Sequence, residues 1–150
     1  MVIQIRKAQA SDIQAIHALV EELAIYEKEP DALTATLEDY QRDFKDQIFD
    51  AIVAEYDQQI VGATIFYMTY STWKGRMLYL EDFIITEKYR RRGIGQQLFD
   101  AFIGEARQLN ARLVKWQVLD WNEPAISFYR KNKAIIETEW YNGKLFLQEN

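Results

Sequence analysis

The chain of 150 residues has no cysteine and one histidine, His17. The first absence removes disulfides, cysteine-based zinc sites and a thiol nucleophile, and it suits a reducing compartment. The second removes multi-histidine metal centres, so no metal is expected. No run approaches the roughly 18 apolar residues that a membrane-spanning helix needs. The opening residues MVIQIRKAQA carry no signal-peptide pattern, and a cytoplasmic location is the default expectation. Positive charge is also in short supply: 18 Lys and Arg face 23 Asp and Glu, for a net charge of −5. General nucleic-acid binding draws its affinity from neutralised phosphates, so no nucleic-acid partner is expected. A cationic ligand suits the chain better.

Apolar residues make up 49% and charged residues 27%, the composition of a globular domain rather than a disordered chain. The length fits one domain over residues 1–150, with no repeat, linker or low-complexity segment. Val2, Ile3 and Ile5 begin a short strand. Ile13, Ile16, Leu19, Val20, Leu23 and Ala24 recur at helical spacing after Ser11 or Asp12, and Pro30 ends that run. TATLEDYQRDFKD reads as a second helix, with Leu37, Tyr40 and Phe44 on one side. IFDAIVAEY and IVGATIFYMTYS read as a hairpin, and RMLYLEDFIIT as a further strand. Gly93 to Leu109 reads as a helix with Ile94, Leu98, Phe102, Ala106 and Leu109 in one stripe. ARLVKWQVLD reads as a strand and NEPAISFYRKN as a short helix capped by Asn122. Two closing strands are expected around Asn142-Gly143, a strong hairpin turn. The order β-α-α-β-β-β-α-β-α-β-β implies an α/β (α+β) fold on a mixed sheet, antiparallel first, with a helical crossover that demands a parallel pair.

YRRRGIGQQL, Tyr89 to Leu98, lies between a strand and a helix. A helix N-terminus offers unpaired N–H groups and partial positive charge. Gly93 and Gly95 let ligand oxygens approach the backbone, and arginines at the rim add charge. A pyrophosphate is the group best served. A phosphate loop of the Walker type needs Gly-Lys-Ser/Thr, where this chain has Gly95-Gln96-Gln97. The dinucleotide fingerprint needs a third glycine where Leu98 stands. A solvated basic turn is the alternative for an isolated Arg-x-x-Gly-x-Gly.

Arg90-x-x-Gly93-x-Gly95 resembles the acetyl-coenzyme A loop of the GNAT N-acetyltransferases. LAIYEKE, YLEDFIITEKYRRRGIG and WNEPAISFYRKNKA, in that order and spacing, are similar to segments of the diamine (spermidine/spermine) and thialysine branch. The resemblance implies the GNAT acyl-CoA N-acyltransferase fold, acetyl-CoA as cosubstrate and a homodimer, for which TEWYNGKLFLQ is a plausible contact. It implies that Arg90 starts the cofactor loop and that Arg91, Arg92, Gly93, Ile94, Gly95 and Gln96 hold the pyrophosphate. The cofactor would lie between Phe83-Ile84-Ile85 and Val114 to Leu119, strands that splay apart in this family, with Asn122 holding its arm.

Acetyl transfer to an amine needs a base for the ammonium and an acid for the departing thiolate. Alternation along a strand places Glu81 and Asp82 on opposite faces, so at most one would face the acetyl group directly. Polar residues at a strand bulge or edge are the plain alternative for this pair. The resemblance implies Glu81 as base through a water, Asp82 as a partner of the cationic acceptor, and Tyr129 as the acid. It also implies Tyr26, Glu27 and Trp73 in the acceptor pocket, where an aromatic face and a carboxylate suit an alkylammonium. Ile126 and Phe128 read as core, and His17 as an ordinary helix-face residue.

Three positions depart from the diamine enzymes. Ser71 stands for an aspartate, Tyr141 for a glutamate, and Lys133 for a glycine after the last helix, where Asn132 can take the left-handed conformation instead. The first two changes make a shorter amine as well suited as a long polyamine. The expected activity is direct acetyl transfer from acetyl-CoA to the primary amine of a small cationic acceptor. The alternatives are acetylation of a protein lysine or N-terminus, or a non-catalytic module that binds coenzyme A or nucleic acid.

Overall fold

β-Branched and aromatic residues fill the runs between Asp50 and Ile85, and these runs form the middle of a five-stranded sheet. Its strands are β1 (Gln4–Lys7), β2 (Asp50–Tyr56), β3 (Gln59–Ser71), β4 (Gly75–Ile85) and β5 (Leu113–Lys115), in that spatial order. β1 to β4 are antiparallel neighbours, and β4 and β5 are parallel. The computed structural model describes residues 1–148, in two compact units, Met1–Trp116 and the described residues from Gln117 onward. The whole sheet lies in the first unit.

The helices are α1 (Ile13–Tyr26), α2 (Leu37–Lys45) and α3 (Ile94–Gln108) in the first unit, and α4 (Glu123–Lys131) in the second. Thr36 and Asp39 start α2 with a reciprocal capping box: Asp39 N–H donates to Thr36 Oγ1 at 3.1 Å, and Thr36 N–H donates to Asp39 Oδ2 at 2.9 Å. α1 and α2 cover one sheet face. Ile13, Ile16, Leu19 and Val20 pack there with Ala51, Val53, Ala63, Ile65 and Ile84. α3 covers the other face, with Phe102 against Phe66 (ring centroids 5.5 Å) and Phe99 against Phe83 (6.2 Å). Phe66 and Phe102 are fully buried, and truncating either to alanine would cost about 3–5 kcal/mol. Gly62 permits the close approach of α3, since a Cβ there would meet Ile84 O and Leu98 Cδ1 at 3.0 Å.

All four α-helices among the described residues end in a left-handed residue that is not glycine. Lys28, Gln47, Asn110 and Lys133 have φ of 64°, 60°, 61° and 68°. After each, the next N–H bonds back five residues: Glu29 to Ala24 O, Ile48 to Asp43 O and Ala111 to Ala106 O at 2.9 Å, and Ala134 to Tyr129 O at 3.0 Å. At α4 this corrects the sequence expectation. Lys133, not Asn132, takes the left-handed conformation, because Asn132 (φ −89°) stays in the last turn and donates Nδ2–H to Phe128 O at 2.9 Å.

Other differences concern ends and partners. β5 stops at Lys115 rather than running to Asp120. Leu109 is 37% exposed at the end of α3, and Phe99 takes its place in the buried stripe. The two closing strands are not formed: residues 134–148 carry no ladder among the described residues. Strands need a neighbour for their N–H and C=O groups. Trp140, Tyr141, Leu145, Phe146 and Leu147 are all exposed, so no burial draws the two arms together.

Candidate active site

The β3–β4 hairpin turns at Ser71–Gly75 and pairs Tyr67 with Tyr79 and Phe66 with Leu80. The register then shifts, so that Ile65 pairs with Asp82 and Glu81 has no partner across the ladder. This is a β-bulge, one extra residue on β4. It overturns the expectation from simple alternation. Glu81 follows Tyr79 on the face that carries Tyr67, and Asp82 sits opposite Ile65, which packs on the α1–α2 side. Both carboxylates therefore face the same layer.

Three tyrosines surround them. Tyr67 Oη donates to Glu81 Oε1 at 2.9 Å, and its ring stacks on Tyr79 with centroids 5.4 Å apart and planes at 25°. Tyr40, on α2, packs edge-on against His17 and Phe49. Burial pushes its hydroxyl up to about 12, helped by the charges of Asp82 and Glu81. Tyr79 is raised for the same reasons, by burial and then by Glu81 and Asp82. Asp82 is half-buried and pushed up to about 7, first by desolvation and then by Glu81 and Glu27. Glu27 is itself raised by burial at the end of α1. The result is a half-buried acidic and aromatic cluster, a setting that favours an alkylammonium guest.

Of the acceptor residues expected from sequence, Glu27, Glu81 and Asp82 come together. Tyr26 is turned to Arg90, whose guanidinium lies 5.1 Å from the ring centroid. Trp73 stands 86% exposed in the β3–β4 turn, and the six residue steps from Gly75 to Glu81 put about 20 Å between that turn and the carboxylates. Tyr40, Tyr67 and Tyr79 are not among the site residues that the sequence predicts. The signal for two of them lay in the hairpin: counting back from the turn sets Tyr67 opposite Tyr79 and diagonal to Glu81.

On the other sheet face, β4 leads into the loop before α3. The ladder between β4 and β5 covers Met77–Tyr79 only, so Leu80–Ile85 has no β5 partner. Phe83 and Ile85 face Gly95, whose hypothetical Cβ would lie 3.7 Å from both side chains. Gly93 has φ +81°, with nothing within 4 Å of where a Cβ would be. α3 begins after it without a side-chain cap. An open glycine, a left-handed backbone and an uncapped helix start form a cradle for an anionic group.

The three arginines divide the work. Arg90 Nε donates to Ile85 O at 2.8 Å, and its Nη2 lies 3.9 Å from Glu22 Oε1. Glu22 also receives Thr86 Oγ1–H (2.9 and 3.1 Å) and Glu87 N–H (3.1 Å). Arg90 thus fastens the loop to the end of β4 and to α1 rather than reaching out to phosphate. Arg91 is exposed at φ 64°. Arg92 is exposed over the Tyr89 ring at 5.5 Å, with Nη1 3.7 Å from Met1 Sδ.

In the second unit, Asn122 caps α4, its Oδ1 accepting from Ala125 N–H at 3.4 Å. Tyr129 and Ile126 are the buried residues of that helix. Elsewhere, a depression of about 430 Å³ is lined by Arg6, Ser11, Asp12, Glu55, Gln58 and Gln59. Its Arg6 is already held by Asp12 at 2.8 Å and Glu55 at 2.9 Å, so it offers no free charge to a ligand. No described helix is long and apolar enough to cross a membrane.

Residues 13–133 match the model of the Acetyltransferase (GNAT) family. The chain is 35% identical over 141 residues to the human spermidine/spermine N(1)-acetyltransferase-like protein 1, covering 88% of this chain and 20% of that protein. It is 33% identical over 147 residues to the Bos taurus thialysine N-epsilon-acetyltransferase, covering 91% and 86%. Its fold matches an aminoglycoside acetyltransferase, meta-AAC0020, from an uncultured soil metagenomic sample, with a TM-score of 0.81 at 20% identity over 97% of each chain. It also matches the aminoglycoside N-acetyltransferase AAC(6')-Iy in complex with CoA, with a TM-score of 0.76 at 14% identity over 98% and 96%.

Proposed function

The chain belongs to the acetyltransferase (GNAT) family, and on that premise we propose that it moves the acetyl group of acetyl-CoA directly to the primary amine of a small cationic acceptor. The observation that carries the acceptor class is the bulge in β4, which gathers Glu81 and Asp82 on one face beside Glu27 and three tyrosines. The relatives named for spermidine/spermine and thialysine support the same class. Ser71 and Tyr141 remove carboxylates that a long polycation would use, so a short diamine or a thialysine-like amino acid fits as well as spermidine.

Acetyl-CoA supplies an activated thioester. Arg91 to Gln96 hold its pyrophosphate on the open backbone at Gly93 and the start of α3, with Arg90 bracing that loop from inside. Backbone groups of Phe83, Ile84 and Ile85 pair with its arm, and Asn122 helps to hold it. Asp82 and Glu27 pair with the acceptor's positive charge. Glu81 takes a proton from the ammonium through a water, which frees the nitrogen lone pair to attack the acetyl carbonyl. Tyr129 gives its proton to the sulfur as the carbon–sulfur bond breaks. With no cysteine in the chain, a thiol acyl-enzyme is ruled out, and direct transfer is the simpler course.

Residues 1–150 act as one catalytic domain in the cytoplasm, and two copies pair. The exposed apolar side chains from Trp140 to Leu147 support the pairing, since a patch of that kind is normally covered by a partner. Light scattering at micromolar concentration tests it, and a monomer would contradict it. The activity is tested by free-thiol release from acetyl-CoA with polyamines, thialysine, lysine peptides and amino sugars. No release with any amine would overturn the enzyme reading, and release with peptides alone would overturn the small-amine reading.

A further inference from the structure

Tyr67 lies on β3, outside the three stretches LAIYEKE, YLEDFIITEKYRRRGIG and WNEPAISFYRKNKA. Its partner Glu81 is the extra residue of the bulge: exposed, without a ladder partner, and carried on a side chain with three rotatable bonds. Such a carboxylate has no fixed direction of its own. Among the described residues, the one hydrogen bond it makes is from Tyr67 Oη to Oε1, at 2.9 Å. Tyr67 is held in turn by its stack on Tyr79, the residue directly opposite on β4. Its proton is kept on the phenol, since burial, the bond to Glu81 and the nearby negative charges all raise it above the ordinary tyrosine range. Tyr67 is therefore a permanent donor here.

We propose that Tyr67 is a positioning residue for Glu81: its hydroxyl holds Oε1 and leaves Oε2 as the oxygen that receives the acceptor's proton. This rests on the assignment of Glu81 as base. The proton passes from the ammonium nitrogen through the bridging water to Oε2, while the Tyr67 O–H bond stays intact. A base displaced by about an ångström can lose up to a hundredfold in rate, so a single orienting bond has leverage.

The test compares Tyr67→Phe, Glu81→Gln and the double variant by thiol release at saturating acetyl-CoA. Phenylalanine keeps the stack on Tyr79 and removes only the donor. Tyr67→Phe should lower kcat on the order of tenfold, with unchanged KM for acetyl-CoA and unchanged Tm. It should have no further effect in the Glu81→Gln background. Glu81→Asp, which keeps the charge but withdraws it from the tyrosine, should reproduce the Tyr67→Phe loss, and it serves if the phenylalanine variant does not fold. Full kcat in Tyr67→Phe, or losses that simply multiply in the double variant, would overturn the positioning role while leaving Glu81 as base. Full kcat in Glu81→Gln would overturn the base assignment, and the positioning role with it.

Discussion

The side chain of Arg90 folds back onto the carbonyl of Ile85, Nε to O at 2.8 Å, and covers the ring of Tyr26. The residue that starts the glycine loop is thus an internal brace. Arg90→Lys should weaken acetyl-CoA binding severalfold by loosening the loop, with little change in salt dependence, because the lost contact is inside the protein. Arg92→Glu should weaken binding in a strongly salt-dependent way, since an exposed charge acts through solvent. Calorimetric titration at low and high salt separates the two.

Asp82 gives the site a pH dependence with a definite sign. Its pKa in the folded chain is raised to about 7, chiefly by burial. A cationic acceptor favours the ionised form, so binding below pH 7 should release a proton, and the amine KM should fall as pH rises through 7. Asp82→Asn should abolish that proton release and raise the amine KM. For the free protein the sign is opposite. The folded state holds this proton more tightly than the unfolded chain, so the group favours folding below its ordinary carboxylate pKa, and that advantage is lost as pH rises through 7. Titrations in buffers of different ionisation enthalpy and thermal melts against pH read the two effects.

Under the proposed mechanism, Tyr129→Phe should lower kcat with little effect on acceptor KM, because the hydroxyl it removes would protonate the departing sulfur. Its helix should survive, since Tyr129 is buried and phenylalanine keeps its ring. Unchanged turnover would remove the acid role.

Lys133 occupies a left-handed position at the end of α4. A side chain there meets the following carbonyl, at a cost of roughly 1–2 kcal/mol. Lys133→Gly should raise stability by about 1 kcal/mol after the added chain entropy is subtracted. Denaturant melts with unchanged m-value would confirm it, and a loss of stability would contradict it.

Element types were legible wherever apolar spacing was regular. α1, α2 and the hairpin from Asp50 to Ser71 follow from pattern alone, as does the parallel pair that the α3 crossover demands. The closing strands were misread because the Asn-Gly signal is local while a strand's stability comes from its neighbour. The sequence groups Glu81, Asp82 and Glu27 by residue type, and the structure brings the three together. The bulge that aims two of them to one face has no signature in YLEDF. Arg90 stands at the start of the loop, as its position implies, but its bracing role is not legible in the sequence because its partner is the backbone carbonyl of Ile85.

The bulge has one more implication. Remove Glu81 from the count, and Tyr79, Leu80, Asp82, Phe83, Ile84 and Ile85 alternate without a fault, each on the face it now occupies. Glu81 thus stands outside the alternation that the rest of the strand keeps. Deleting it should leave the facing of both cores unchanged and restore a regular ladder. The strand carries this carboxylate without turning aside any side chain that packs on either face.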